Sequence, residues 1–147
     1  MNDSKFMVRA CKLAQMRHCL GEAFNIEHIY PTPMIEMDCY KELLALPGVF
    51  MLTFDNCMYE EEYKHRQCLI TNVPAFVQLS RDCDKSHVHT PITPQQGPGL
   101  RTKDAQPFSE AFCEEYARLL HLVLTSPDAD RCVHCVRDRE INGECNS

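Results

Sequence analysis

The sequence predicts a single α/β domain over residues 4–125, with a polar tail at 126–147. Helix-like and strand-like stretches alternate along the chain, which is the βαβ rhythm of such domains. The run Val49-Phe50-Met51-Leu52-Thr53-Phe54 is apolar without alternation. That pattern suits a strand covered on both faces, as in a parallel sheet under helices. The chain has 147 residues, 44% of them hydrophobic, enough for one core.

The first helix is expected from Ser4 to Leu20. Phe6, Met7, Ala10, Cys11, Leu13 and Ala14 recur at the spacing of one helical face. Ser4 or Asp3 can cap its start, and Gly21 stands where helices commonly stop. Ala23-Phe24-Asn25-Ile26 reads as a short strand, with Glu27-His28 at its end. Pro31 and Pro33 break the chain before a weaker helix from Met34 to Leu46, which Pro47-Gly48 ends. After the Val49–Phe54 strand, Tyr63 to Thr71 reads as another, and Asn72 is placed to cap a short helix through Leu79. Between Asp82 and Gln106, Pro91, Pro94, Gly97, Pro98 and Gly99 argue for irregular structure. A last helix is expected over Phe108–Leu124, with Phe112, Tyr116, Leu119, Leu120 and Val123 on one face and Pro127 beyond its end. The tail carries three cysteines and is expected to be flexible.

Charge and hydropathy restrict function. With 15 Lys+Arg against 21 Asp+Glu the net charge is −6, which argues against a long basic nucleic-acid footprint but permits a local one. No apolar run approaches the ~20 residues of a membrane span. The first residues lack the basic-then-apolar pattern of a secretory leader. An intracellular protein with no membrane association is therefore the expectation.

Ten cysteines admit three explanations: disulfides, which need an oxidising compartment; zinc, the usual intracellular reason for clustered Cys and His; or thiols filling core space as small apolar groups. Core filling suits Cys11, Cys19, Cys39 and Cys113, all within helix-like segments. Zinc suits Cys83-Asp84-Lys85-Ser86-His87-Val88-His89, where a thiolate and two imidazoles share one loop. Tetrahedral zinc takes such sulfur and nitrogen donors at about 2.0–2.3 Å. Cys57 is the first choice for the missing ligand because it follows the buried strand; Cys68 lies inside a strand, where the pleat fixes its direction. Cys57, Cys83, His87 and His89 would form a closed structural site. The competing reading is a surface loop with an incidental thiol.

A second metal candidate is Cys132-Val133-His134-Cys135 with Cys145, taking His134 or His121 as fourth ligand; its alternative is a tail with spare thiols. A third feature follows from the parallel-sheet expectation. Glu27-His28 and Asp55-Asn56-Cys57 would end neighbouring strands and face one crevice, as acid, base or holder of an exocyclic amine, or simply as solubilising strand ends. No Gly-rich phosphate loop, Gly-x-Ser-x-Gly or His-Glu-x-x-His motif occurs.

Taken in order, several of these stretches resemble a known family. Met7 to Ala14 followed by Gly21-Glu22-Ala23-Phe24-Asn25-Ile26-Glu27-His28 is similar to a helix and "Gly-Arg-x-Phe-x-x-Glu-His/Asn-Pro" stretch. Leu46-Pro47-Gly48-Val49 leading to Phe54-Asp55-Asn56-Cys57-Met58-Tyr59 is similar to a block with Asp-Gln-Cys and a large residue. Lys64 with Thr71-Asn72, the Cys83, His87-Val88-His89 block, and Thr102, Ala105 and Phe112-Cys113 continue the series. Together they resemble the methyltransferase-like segment of copia-type retrotransposon polyproteins, with related pieces in phage cytosine-C5 DNA methyltransferase-like proteins. The likeness covers roughly residues 7–120.

The resemblance implies the C-terminal half of a doubly wound, Rossmann-like methyltransferase sheet with flanking helices and an irregular Cys/His loop. It implies that Glu27 occupies the place of the glutamate that contacts the target base. His28 stands where active enzymes carry Asn, and Glu60 where the family usually has Gly. No Pro-Cys nucleophile loop or S-adenosylmethionine loop is present, so that cofactor is not expected to bind. Half of such a sheet exposes a strand edge and an apolar face, so a protein partner, self-association or zinc is expected to complete it. The resulting expectation is a non-catalytic, zinc-stabilised binding module of transposable-element type, touching nucleic acid through Lys64, His65 and Arg66. The alternatives are an enzyme of the DNA methyltransferase-like class working with a missing half, and a disulfide-rich secreted or effector-type protein.

Overall fold

The computed structural model describes residues 3–93, 100–101 and 108–125. Helix α1, Asp3–Cys19, stops where the sequence places its stop: Gly21 turns to φ 72°, its N–H reaching the His18 carbonyl and the Glu22 N–H the Arg17 carbonyl. Those two bonds satisfy carbonyls that the ending helix leaves open. Strand β1 is Asn25–Ile29, two residues later than its expected start. The weak helix expected over Met34–Leu46 divides into a 3-10 turn, Pro33–Glu36, and α2, Asp38–Leu44. Gly48, at φ 78°, then turns the chain into β2, Phe50–Asp55. A 3-10 turn at Asn56–Tyr59 leads to β3, Arg66–Thr71, and another at Pro74–Leu79 follows it. Two-residue strands β4, Ile92–Thr93, and β5, Leu100–Arg101, pair in parallel, and α3, Glu110–Thr125, completes the described chain.

The sheet differs from the parallel, doubly wound one expected. Among the described residues the main sheet has three strands in the order β1-β3-β2, and both pairs are antiparallel. The chain does pass from β1 through α2 to a β2 running in the same direction, so the βαβ rhythm is present. β3 inserts between the two strands. An unalternating run reports only that both faces are covered, whichever way the neighbour points. Residues 56–65 are long enough to return the chain antiparallel without a crossover helix.

Both faces are indeed covered. One side packs Met7, Cys11 and Ala14 of α1 and Tyr40 and Leu43 of α2 against Ile70. The other packs Leu52, Phe54 and Leu69 under Phe112 and Leu119 of α3 and Phe76 and Leu79 of the last 3-10 turn. After Arg66, every residue of β3 is buried, as a central strand between two helical layers must be.

Two sequence expectations are corrected by packing. The single apolar face expected of α1 is two: Met7, Cys11 and Ala14 point inward, while Phe6 and Leu13 are exposed. Asn72 does not cap the following turn, whose N-cap is Val73. It is buried, its Oδ1 accepting the Phe24 N–H at 3.0 Å and its Nδ2 donating to the Glu22 carbonyl at 2.9 Å, with His18 Nδ1 at 3.2 Å. It therefore ties the α1–β1 connection to the end of β3. Asn72→Ala leaves buried backbone groups without partners, and is expected to cost about 2–3 kcal/mol in urea denaturation. A loss below about 0.5 kcal/mol would show that water replaces the amide.

Candidate metal centre

The site grows from the free edge of β2. After the 3-10 turn ending at Leu79, the chain runs beside that edge: Ser80 Oγ donates to the Thr53 carbonyl at 2.9 Å and the Asp55 N–H to the Arg81 carbonyl at 2.9 Å. Arg66 of β3 hydrogen-bonds Asp82 and, at 3.1 Å, Thr53 Oγ1. The Cys83 N–H reaches Asp55 Oδ2 at 2.8 Å. Further on, the Thr90 N–H is held by the Glu62 carbonyl at 2.7 Å. Residues 80–90 contain no helix or strand, yet they are pinned at both ends to the β2–β3 connection.

Inside the pinned loop the backbone turns sharply. Asp84 Oδ1 accepts the Ser86 N–H at 2.9 Å, and Lys85 takes the left-handed conformation at φ 63°. The Lys85 N–H points at Cys83 Sγ, 3.4 Å away. Such a bond partly neutralises a sulfur anion. His87 and His89 then meet edge to face, with 4.6 Å between ring centroids, and His89 Nε2 lies 3.4 Å from Cys83 Sγ.

Cys57, in the first turn after β2, faces this loop from the other side. The donor atoms of Cys57, Cys83, His87 and His89 all lie within 4.8 Å of one another. These four residues could hold a metal ion. For ligands at about 2.0–2.3 Å, a tetrahedron has edges of about 3.3–3.8 Å, so the Cys83–His89 separation of 3.4 Å already has that size. Asp84 Oδ1 lies 3.8 Å from His87 Nδ1. That separation is too long for a hydrogen bond, so the carboxylate acts on the imidazole only through its charge.

The surroundings of Cys57 by themselves disfavour its thiolate. Burial pushes the Cys57 thiol up to about 11, and the neighbouring Cys83 and Asp55 act in the same direction. A cation among the donors reverses this balance, because it stabilises the sulfur anion directly. Asp55 is 1% exposed and pairs with Lys64 at 3.6 Å while holding the Cys83 backbone. It is the residue that composition and spacing did not single out for this site; its position at the end of an apolar run, two before Cys57, was the available signal.

The other expected site residues are distributed differently. Lys64 and Arg66 of the basic cluster spend their charge on Asp55 and Asp82, and His65 is half-buried. Glu27 pairs with Leu69 and Asp55 with Arg66, positions of opposite pleat on β3. Glu27 and Asp55 therefore lie on opposite faces of the sheet, and the shared crevice expected of parallel strand ends does not form. Glu27 sits mid-strand on an outer strand, exposed. Of the four cysteines expected to fill core, Cys11 is buried and Cys39 partly so, while Cys19 and Cys113 are exposed. Burial pushes the Cys11 thiol up to about 12 and the Cys68 thiol up to about 11, which leaves both unreactive. Cys132, Cys135 and Cys145, with His134, lie outside the described residues, as do the tail at 126–147 and Thr102 and Ala105 of the resemblance. No helix among the described residues is long and apolar enough to cross a membrane. Compared with known proteins, the chain matches no family model, no curated protein and no solved structure.

Proposed function

We propose that the protein is a zinc-clamped binding module in which the ion is structural. Cys57, Cys83, His87 and His89 are its ligands. The observation that carries this reading is the convergence of four soft or borderline donors, from two stretches of chain, within 4.8 Å. Two thiolates and two imidazoles suit zinc better than the oxygen-preferring cations. All four positions of a tetrahedron are filled by protein, which leaves no place for a water or substrate. The ion joins residues 80–90, whose start already runs hydrogen-bonded beside the outer edge of β2, to the turn that carries Cys57. Catalysis by methyl transfer is not part of the proposal: Glu27 faces solvent away from the donor cluster, and calorimetry with S-adenosylmethionine is expected to give no heat.

Elemental analysis of protein purified under reducing conditions tests the clamp. One zinc per chain is expected; Cys83→Ser should abolish it, and Cys113→Ser, on the exposed side of α3, should retain it. Asp55→Ala removes the carboxylate that positions Cys83 and is expected to weaken zinc about 10–100-fold. Metal-free protein whose Cys57 and Cys83 thiols are consumed in a disulfide would replace this reading with the disulfide one.

A further inference from the structure

The outer face of α1 carries a second apolar stripe that no other described element covers. Phe6 is 57% exposed, Leu13 59%, Met16 62% and Leu20 70%. The Leu20 N–H still bonds the Met16 carbonyl, so all four belong to one helical surface. Phe6, Leu13 and Leu20 recur every seventh residue, with Met16 three beyond Leu13. That is the two-per-heptad spacing of a paired helix, with Arg9 the one charged residue set in the seam. Among the described residues the packing of α1 uses only its opposite face, through Met7, Cys11 and Ala14.

Charge decides what fits it. Lys5 and Lys12 flank the seam on one side and Arg17 on the other, so the helix carries net +3 in a chain of −6. Arg17 is paired with Glu22, whereas Lys5, Arg9 and Lys12 make no ion pair among the described residues. A second copy of the chain docked in parallel would set Lys12 against Arg17, and an antiparallel copy would set lysine against lysine. Either costs repulsion at the flanking positions that choose partners in coiled coils. An anionic lipid surface is opposed by the remaining charge of the chain and by the narrowness of the stripe, since interfacial helices present a broad apolar face.

We propose that the outer face of α1 is a docking surface for an acidic amphipathic helix of another protein, with apolar residues at heptad spacing and Glu or Asp beside them. Its complement is a helix, not an extended peptide, because the seam repeats at helical intervals along the whole of α1. The zinc clamp is at the β2–β3 end of the sheet and uses none of these residues, so the two proposals stand or fall separately.

The probe is a synthetic peptide of about four heptads with Leu at the core positions and Glu at the flanking ones, and its Lys counterpart as control. The full-length, metal-loaded protein should bind the acidic peptide with a gain of helical circular dichroism, and bind the basic one at least about tenfold more weakly. Raising salt should weaken the acidic complex severalfold. Leu13→Ser with Leu20→Ser should lower affinity at least about tenfold while leaving zinc content and melting temperature unchanged. Lys5→Glu with Lys12→Glu should reverse the preference between the two peptides. Equal binding of both peptides, or binding of neither, overturns the proposal. So does a dimer in sedimentation that Leu13→Ser dissolves, which would make the seam a self-interface. Co-sedimentation with phosphatidylserine vesicles that the same variant abolishes, without peptide binding, would assign the face to lipid and overturn it equally.

Discussion

Stripping zinc from the loaded protein is expected to lower its melting temperature by about 10 °C while leaving most of the far-ultraviolet circular dichroism in place. The magnitude follows from mass action: free metal about a hundredfold above its Kd stabilises the folded state by about 2.7 kcal/mol. In a domain of this size each kcal/mol moves the midpoint by about 3–4 °C. The retained spectrum follows from where the ligands sit. Neither apolar cluster on the sheet includes Cys57, Cys83, His87 or His89. Residues 80–90 keep the hydrogen bonds to Thr53, Asp55 and Glu62 but lose the clamp that joins them to Cys57. Limited proteolysis is thus expected to open first near Lys85, whose neighbours His87 and Val88 are exposed. Restoring zinc should reverse both changes. A midpoint unmoved by chelation would show that the hydrogen bonds alone hold the loop; collapse of the whole spectrum would show that the ion supports the core as well.

The grouping of donors in the loop was legible in the sequence because it depends on neighbours in the chain. Cys83, His87 and His89 share one irregular stretch, and the preference for Cys57 over Cys68 rested on strand geometry. The structure bears out that geometry: Cys68 is fully buried within β3, on the face covered by α1 and α2, while Cys57 meets the loop. What stayed illegible depends on residues distant in the chain. Nothing local announces that β3 inserts between β1 and β2, since burial on both faces erases the alternation that would distinguish the arrangements. Asn72 has the composition of a cap and the position of one; only the approach of Phe24, 48 residues away, turns it inward. The two stripes of α1 merged for a related reason. Phe6 next to Met7 and Leu13 next to Ala14 look like one wide face when counted along the chain, but Cβ directions separate them by about a third of a turn.

Phe112→Ala is expected to be the most damaging single substitution in the apolar core, costing about 3–5 kcal/mol. Its ring is 5% exposed and stacks on Phe54 at 4.6 Å and on Phe108 at 4.7 Å, with Tyr59 edge-on at 5.1 Å and Tyr116 at 6.1 Å. Truncation removes contact area from a strand, a 3-10 turn and α3 at once, and the rigid rings around it cannot close the space. The effect should also reach the loop beneath. Tyr59 donates its hydroxyl to the Leu79 carbonyl at 2.7 Å and lies under Arg81 at 4.6 Å, so it links the aromatic stack to the start of residues 80–90. Phe112→Leu, which keeps much of the volume, is expected to recover more than half of the loss. Guanidinium unfolding of the three proteins checks this, with metal content measured on each. If Phe112→Ala costs under about 1 kcal/mol, α3 contributes little to the fold. The sheet would then be held mainly by α1 and α2, and the layer that buries Leu69 and Phe54 would need another explanation.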